Sequence, residues 1–437
     1  MAQGASMSDL GARNELVVLE AIRGAREGSS QSEVMRRTGL SRQAVSLITR
    51  RLLERGLIET AGTRGVGRGK PRTVLRIVPS SLLAAGVHLD PAGISVVIVD
   101  LDAQVVAERT LPPPGDDPSG DIRRIAAGIE SLLEDLRRHG WSTADGRDAA
   151  EALLGIGVAS PGALDAVAGV VLNPPWLPGW RNVSLVAELS AATGRSVVLD
   201  KDTTAALTAE LWAGGRRAED AAAPDRPTGE DTTLYVYVGA GIGSAVAARG
   251  RVHAGSTTQA GEIGHLPTGL PGELCQCGRL ACLSTFTDVA GMLSRADGEE
   301  PAAQASPSDS SGSAEPPSPV GPSSTSARLA ALAHRATGSA DTPPDALARA
   351  QIEAHGTALG EALRSLIWVH DPRQVLIGGP YWRILEPLAM PRVRERALPD
   401  EGVPERVVLR SSTFGDDAAA IGAATLYLEH ELSPAAR

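Results

Sequence analysis

The three cysteines of this 437-residue chain all lie in one short segment, CQCGRLAC, at residues 275–282. A histidine stands ten positions before the first of them. Three thiolates and one imidazole complete the tetrahedral shell that Zn²⁺ prefers and leave no open position for hydrolytic chemistry. The spacing therefore predicts a structural zinc site, with a cluster of free core thiols as the alternative. The predicted ligands are His265, Cys275, Cys277 and Cys282.

A second group of residues suited to recognition lies in the segment SRQAVSLITRRLLERG, which begins at Ser41. The pattern predicts a helix that this serine caps, with Val45, Ile48 and Leu52 on one face. Polar residues share the opposite face with Leu47. Such a helix fits the major groove of DNA, where Gln, Ser and Arg bond to base edges or phosphates and a leucine can touch a thymine methyl. The candidate DNA-contacting residues here are Ser41, Arg42, Gln43, Ser46, Leu47 and Arg50.

The elements around this helix complete a winged helix–turn–helix pattern. One helix is predicted over residues 15–26, and a short second helix, capped by Ser30 or Ser32, ends at Gly39. Two β-prone segments, LIET and TVLRIV, follow and flank a tip rich in glycine and arginine that suits phosphate contact or minor-groove insertion. The alternative is a helical dimerisation or docking domain with solvated arginines. The basic candidates in the tip are Arg64, Arg68, Lys70 and Arg72.

The charge distribution separates this N-terminal region from the remainder of the chain. Residues 1–78 contain 14 Arg and Lys against 7 Asp and Glu, whereas residues 79–437 contain 28 against 45. A basic head on an acidic body indicates a polyanion-binding module joined to a different domain. Three cysteines cannot form a disulfide framework, and neither a signal peptide nor a membrane-spanning run is recognisable. We therefore expect a soluble protein of the reducing cytoplasm, without a membrane partner.

Beyond about residue 80, strands alternate with helices, which predicts an α/β architecture with buried sheets. For example, residues 196–211 read as a strand that runs into a helix, and residues 416–432 as a closing helix. Two segments interrupt this pattern. Residues 214–231 are interpreted as a loop, and residues 294–327 as a disordered insertion rich in Ser, Pro and acidic residues.

Three motifs make a resemblance to a known family specific. GIGVASPGALD, AGEIGH and CQCGRLAC occur in this order, and with them the body resembles the ROK family of repressors, open reading frames and sugar kinases. The resemblance implies a two-lobed, actin/hexokinase-like α/β fold over residues 79–437, behind a winged helix–turn–helix domain at residues 1–78. Lobe 1 is expected over about residues 80–200 together with the C-terminal helix, and lobe 2 over about residues 201–413. In the family, the histidine and three cysteines bind structural zinc.

The resemblance also bears on enzyme activity, because two phosphate-binding turns of the family's kinases are altered. The DxGGT turn corresponds to HLDPAG, residues 88–93, where a proline removes one N–H donor and Asp90 adds negative charge. The GTG turn corresponds to Gly239-Ala240-Gly241 and has lost its hydroxyl. We therefore expect no kinase activity and assign no catalytic residue.

The sugar site that the resemblance implies is present only in part. The family's Asn-Asp pair is Lys201-Asp202 here, and the glutamate and histidine of AGEIGH are Glu262 and His265. These four residues are the candidate ligand-binding residues. Lys201 beside Asp202 indicates either an ion pair or an anionic group on the ligand, such as a phosphorylated sugar. The alternative is a vestigial cleft lined with polar residues.

These features predict a DNA-binding transcriptional regulator, most simply a repressor, with a double-stranded operator as its partner. Its effector would be a sugar or a sugar phosphate bound between the lobes. Recognition of a palindromic operator, like the family resemblance, implies a homodimer or a higher homo-oligomer. Two alternatives stay open: a ligand-independent regulator whose body serves dimerisation or protein docking, and an active sugar kinase that carries a DNA-binding head.

Overall fold

The computed structural model describes most of the chain. The described residues are 7–25, 27–65, 71–174, 177–214, 231–298, 322–339, 341–398 and 407–433. None of the helices in these ranges combines the length and the apolar character needed to cross a bilayer.

The N-terminal head contains three helices and a two-stranded wing. Its elements are α1 (Met7–Arg23), α2 (Gln31–Thr38), α3 (Arg42–Glu54), β1 (Ile58–Arg64) and β2 (Arg72–Ile77). The strands β1 and β2 pair antiparallel. Val45, Ile48 and Leu52 of α3 are buried, as the helical spacing predicts. The predicted winged helix–turn–helix architecture is thereby confirmed.

Local hydrogen bonds define the ends of the head helices. Ser30, rather than Ser32, precedes α2 and forms a capping box in which its backbone N–H donates to Glu33 Oε2 over 2.7 Å. Helix α2 ends at Gly39, whose φ of 70° lies in the left-handed region that glycine tolerates. The Ala44 N–H donates to Ser41 Oγ over 3.2 Å at the start of α3.

The body contains two five-stranded sheets of the same design. The first is built from β3 (Leu83–Asp90), β4 (Gly93–Asp100), β5 (Val105–Leu111), β6 (Leu153–Ser160) and β9 (Val197–Lys201), beside a small hairpin of β7 (Ala163–Asp165) and β8 (Val170–Asn173). The second is built from β10 (Thr233–Val238), β11 (Ile242–Ala248), β12 (Arg251–Val252), β13 (Gln374–Gly378) and β14 (Val408–Ser411).

Strand order shows that the second sheet repeats the first. The orders are β5-β4-β3-β6-β9 and β12-β11-β10-β13-β14. In each sheet, the first three strands in this order pair antiparallel and the last three pair parallel. This arrangement of two matching lobes confirms the predicted actin/hexokinase-like α/β body.

Helices cover the faces of both sheets. They are α4 (Pro118–Arg138), α5 (Ala149–Ala152), α6 (Leu185–Thr193), α7 (Asp202–Ala213), α8 (Leu283–Thr287), α9 (Val289–Ala296), α10 (Pro322–Thr337), α11 (Ala346–His370), α12 (Trp382–Ala397) and α13 (Ala418–Leu432). Helix α13 packs on the first sheet, α7 packs on β10 and β11 of the second, and the two helices pack on each other. These two helices therefore lie between the sheets and join the lobes.

Backbone approaches within this central layer are very close. A Cβ atom on Gly157 of β6 would lie 1.7 Å from the Ala423 carbonyl oxygen of α13. A Cβ atom on Gly422 would lie 2.1 Å from the Ala205 carbonyl oxygen of α7. Because the opposing atoms belong to the backbone, neither neighbour can move aside, and only glycine fits.

Of the two segments predicted to interrupt the body, the insertion has other bounds than expected, and the loop is not tested. Of the expected insertion at residues 294–327, only residues 299–321 lie outside the described residues, since α9 and α10 include its two ends. Buried Leu329 and Leu332 anchor α10 to the core, and the helix extends backward from them to Pro322. The expected loop at residues 214–231 lies almost wholly outside the described residues.

Replacing Gly157 with alanine is expected to destabilise the body, because the added methyl group overlaps the backbone of α13. We expect the free energy of unfolding to fall by about 3 kcal/mol, the upper end of the range for overpacking, in urea denaturation. Gly65→Ala is the matched control, since its new Cβ atom meets no atom within 4 Å. Equal unfolding midpoints for the two variants would show that the approach of α13 is not as close as described.

Candidate metal centre, interlobe cleft and DNA-binding face

The four predicted zinc ligands come together at one point. One donor atom from each of them lies within 4.8 Å of all the others. Cys275 Sγ is 3.3 Å from His265 Nδ1, and Cys277 Sγ is 3.5 Å from Cys282 Sγ. Ligand atoms of a tetrahedral zinc site are separated by about 3.3 to 3.8 Å, as metal–ligand distances of about 2.0 to 2.3 Å require. The side chains present therefore fit a closed metal site.

The acid–base properties of the thiols also favour a cation. Burial acts to raise the pKa of the Cys275 thiol, but hydrogen bonds from the Cys277 backbone and the Ser284 hydroxyl lower this pKa to about 6. Burial and the two neighbouring thiols raise the pKa of Cys282. The three sulfurs can all carry negative charge only when a cation neutralises them, which couples metal binding to deprotonation.

The loop that carries the cysteines also restrains the position of Glu262. The Ser284 N–H donates to the Gly264 carbonyl over 2.7 Å, and the Cys282 thiol contacts the His265 carbonyl at 3.7 Å. Ile263, between the glutamate and these contacts, is buried. On the other side, the Ser244 N–H donates to the Gly261 carbonyl over 2.8 Å. The segment from residue 261 to residue 265 is thus held between β11 and the cysteine cluster.

A small cleft of about 80 Å³ separates the lobes at the predicted sugar site. It is lined by Lys201, Asp202 and Glu262, as the sequence predicts, and also by Asp90 and Tyr237. The Lys201 ammonium group, at the end of β9, forms an ion pair with Glu262 of the opposite lobe. The fourth predicted residue, His265, is not among the described residues that line this cleft; it lies with the cysteines.

Burial changes the ionisation of Asp202. It raises the pKa of this carboxyl to about 7, and the negative charges of Asp90 and Glu262 contribute in the same direction. The backbone N–H of Thr203, which donates to Asp202 Oδ1 over 2.7 Å, and the nearby Lys201 act against this rise. Near neutral pH, the cleft therefore contains a carboxyl group that can either donate or accept a hydrogen bond.

The outer face of α3 carries the predicted recognition residues. Arg42, Gln43, Ser46 and Arg50 are all exposed, and Leu47 is 41% exposed although it is apolar. Arg50 Nε lies 3.9 Å from Glu54 Oε1, a long contact on this same face. Ser41 differs from these residues because its hydroxyl caps the helix. The face thus presents hydrogen-bonding groups around one exposed apolar side chain.

Of the four basic wing residues that the sequence predicts to contact DNA, two lie within the described residues. Arg64 donates to the Glu27 carbonyl over 3.0 Å and lies 3.9 Å from Glu33 Oε1, so intramolecular acceptors engage it. Arg72 begins β2 and is exposed. Arg68 and Lys70, the other two predicted tip residues, lie outside the described residues.

A cation–π contact is part of the interface between the head and the body. The Arg23 guanidinium of α1 lies over the Trp212 ring, 3.8 Å from its centroid, and Nη1 donates to the Trp212 carbonyl over 2.6 Å. The indole N–H of this tryptophan donates to the Leu101 carbonyl over 2.9 Å. Burial lowers the pKa of the Arg23 guanidinium, and the negative charges of Glu20 and Glu429 oppose this change. Apolar residues of the head and of the body also belong to one continuous core cluster.

Comparison with known proteins identifies the two parts of the chain. The model of the ROK family matches residues 85–430, and a model of the MarR family matches residues 8–69. The chain belongs to the ROK family. The first match covers both lobes, and the second covers the three helices and the first strand of the head.

The ROK relatives include both regulators and enzymes. The chain is 27% identical over 283 residues to a putative xylose repressor of Caldicellulosiruptor, covering 64% of this chain and 65% of the repressor. It is 31% identical over 205 residues to a glucokinase of Thermotoga maritima, covering 47% of this chain and 56% of the glucokinase. The chain thus spans less than two thirds of the length of each of these relatives.

A solved structure supports the fold over the full length. The crystal structure of a ROK family transcriptional regulator, described as a homolog of the E. coli Mlc protein, superposes with a TM-score of 0.67. It covers 98% of each chain at 22% sequence identity. At this identity the match establishes that head and body share one architecture with that regulator, and the residues of each site must be judged on this chain's own geometry.

The residues that join the head to the body are not predictable from the sequence pattern. Arg23 and Trp212 are separated by 189 positions, and nothing in the spacing around either residue indicates the other. The available signal was compositional: an arginine on a largely apolar helix and a tryptophan near the end of another. Tyr237 of the cleft was also missed, because it lies in an apolar strand pattern, LYVYV.

Replacing Trp212 with alanine is expected to loosen the head, because the change removes the ring under Arg23 and the hydrogen bond to Leu101. We expect a loss of about 3–5 kcal/mol in unfolding free energy, with faster amide hydrogen exchange in α1. Trp368→Ala is the matched control because that ring is 60% exposed. If α1 exchanges equally in both variants, the cation–π contact does not hold the head.

Proposed function

We propose that this protein is a DNA-binding transcriptional regulator, most simply a repressor, under the control of a sugar or sugar-derived ligand that binds between the lobes. The observation that carries the proposal is the outer face of α3, which exposes Gln43, Ser46, Leu47 and Arg50 on a winged helix–turn–helix head. A core-facing surface does not combine these side chains, whereas a surface that reads base edges does. The relatives described as repressors support this assignment.

Helix α7 provides a direct route from the cleft to the head. Its first residue, Asp202, lines the cleft, and Trp212 in its last turn contacts Arg23 of the head. Between them, Glu210 Oε1 accepts hydrogen bonds from the Ser412 hydroxyl (2.7 Å) and the Thr413 N–H (2.8 Å) near the end of β14. A ligand that changes lobe closure would therefore displace α7 and, through it, the head.

The phosphate turns support a function without phosphoryl transfer. In the β3–β4 turn, Pro91 has no N–H, and the N–H of Ala92 already donates to Asp90 Oδ1 over 2.8 Å. In the second turn, the Gly239 N–H donates to the Gly241 carbonyl over 2.9 Å. Two backbone donors of these turns, those of Ala92 and Gly239, are thus engaged within the protein, and Asp90 adds negative charge to the same cleft. We therefore propose that the chain is not a kinase.

Three further properties are part of the proposal. The cysteine cluster binds a structural zinc ion, held by His265, Cys275, Cys277 and Cys282, which supplies rigidity and no chemistry because the site is closed. The protein acts in the cytoplasm, where thiols stay reduced. It binds its operator as a homodimer or higher oligomer, because two heads are needed for a palindromic site.

Replacing Arg50 with alanine is expected to weaken specific DNA binding, because one hydrogen-bonding side chain on the recognition face is lost. We expect a loss of about 1–3 kcal/mol, measured by fluorescence anisotropy on an operator isolated by selection from genomic fragments. Arg123→Ala, on α4 of the body, makes the same change of charge far from the head and is the control. Equal affinities for both variants would remove Arg50 from the interface, and no preference for any duplex would refute the proposed function.

Metal analysis of the full chain is expected to find about one zinc per chain, because the four donors form a closed site. Cys277→Ser is expected to lose most of this metal and to lower the melting temperature, since metal binding contributes to folding. Ser284→Ala contacts the cluster without supplying a ligand and is expected to keep the metal. Full folding of a metal-free chain would show that zinc is not structural.

A further inference from the structure

A second cavity, of about 560 Å³, is larger than the cleft and separate from it. Among the described residues, none lines both spaces. Residues 196–200 along β9, the β7–β8 turn and α6 form its wall in lobe 1, and β12 with Ala254 forms its wall in lobe 2. Helices α7 and α13 supply the other contacts. The cavity thus touches both lobes and has the size of a small-molecule site.

The lining of this cavity is mostly apolar and carries a few charged groups. Apolar residues such as Val186, Val198 and Leu426 make up most of the described lining. The charged or titratable side chains are Asp200, Glu429, Arg251 and the exposed His430. With two carboxyl groups against one guanidinium, the lining has an excess of negative charge while the histidine is neutral. Such a surface suits a ligand with an apolar body and a positive charge.

The cations of the protein do not offset the burial of these two carboxyl groups. Burial raises the pKa of Asp200, although the Lys201 N–H donates to its Oδ1 over 2.7 Å and the charge of this lysine also opposes the rise. Burial likewise raises the pKa of Glu429, although Arg23 and Arg251 attract its charge. A cation that enters the cavity would therefore stabilise the ionised form of both carboxyl groups.

Glu429 also connects the cavity to the interface between the head and the body. Its charge acts on Arg23, whose guanidinium lies over the Trp212 ring. Because the same carboxylate faces the cavity, a cation bound there competes with Arg23 for it and repels the guanidinium. An occupied cavity would thus weaken the attraction between the head and the body.

We infer that this cavity is a second ligand site, which takes a small organic cation with an apolar body and whose occupation loosens the head. The cation binds near Glu429 and Asp200, and the body of the ligand packs against the apolar lining. The site is separate from the cleft of the proposed function, and either site can exist without the other.

Isothermal titration of the full chain with three probes of similar shape tests the site. Tryptamine carries an ammonium group, indole-3-ethanol is neutral, and indole-3-propionate carries a carboxylate. We expect saturable binding of tryptamine, roughly tenfold or more tighter than that of the neutral probe, and still weaker binding of the anionic probe. Hexylamine serves as a second cation with a flexible body. Equal affinities for the three indoles, or no saturable binding of either amine, would overturn the inference.

Substitutions in the lining locate the bound probe. Glu429→Gln and Asp200→Asn keep the size of the side chain without its charge, and each is expected to weaken tryptamine binding roughly tenfold while leaving the neutral indole unaffected. Val198→Phe narrows the cavity and is expected to weaken binding of all the probes. Glu395→Gln, on α12 and 53% exposed, is the matched control and is expected to bind normally. Thermal melts of each variant establish that the fold is intact.

A cleft variant separates this site from that of the proposed function. Glu262→Gln alters the cleft and does not touch the second cavity, so we expect its affinity for tryptamine to be unchanged. Loss of binding in this variant would place the probe in the cleft and overturn the inference, without bearing on sugar control or on DNA binding.

Amide hydrogen exchange tests the effect on the head. At saturating tryptamine, we expect faster exchange in α1 of the unaltered chain, and no change in Val198→Phe at the same concentration. Unchanged exchange in α1 when the unaltered chain is saturated would refute the link between the cavity and the head.

Discussion

The backbone contact between α7 and α13 is the constraint on which the rest of the structure depends. With Gly422 against the Ala205 carbonyl and Gly157 against α13, the two helices and the first sheet pack without room for another methyl group. The layer between the sheets therefore behaves as a rigid element rather than a deformable one. A displacement of α7 at the cleft would therefore also move its last turn, where Trp212 contacts Arg23 of the head.

One loop connects the cysteine cluster to the cleft. His265 is a predicted ligand, and Glu262 stands three positions earlier in a loop pinned by Ile263 and by backbone bonds to β11 and to the start of α8. A metal in the cluster would fix the Glu262 carboxylate at the edge of the cleft, where it pairs with Lys201 of the other lobe. A metal held by this closed ligand set would have a structural part and no open position for chemistry.

Two turns that line the cleft are closed by hydrogen bonds of their own. Asp90 Oδ1 accepts from the Ala92 N–H, and the Gly239 N–H donates to the Gly241 carbonyl, so these two backbone donors already have acceptors within the protein. The proposal that the chain is not a kinase depends on these engaged donors and on the negative charge of Asp90.

Features that depend on neighbours along the chain could be predicted from the residue pattern. The capping serines, Gly39 and the apolar spacing of α3 predicted the head, and three cysteines within eight residues predicted a cluster of metal-ligating side chains, because these signals act over a few positions. The pairings between distant residues depend on the folded chain: Arg23 with Trp212, Lys201 with Glu262, and Arg64 with Glu27 rather than with solvent. Local patterns fix local backbone conformation, whereas the partner of a charged side chain depends on how the whole chain folds, which no spacing along the sequence records.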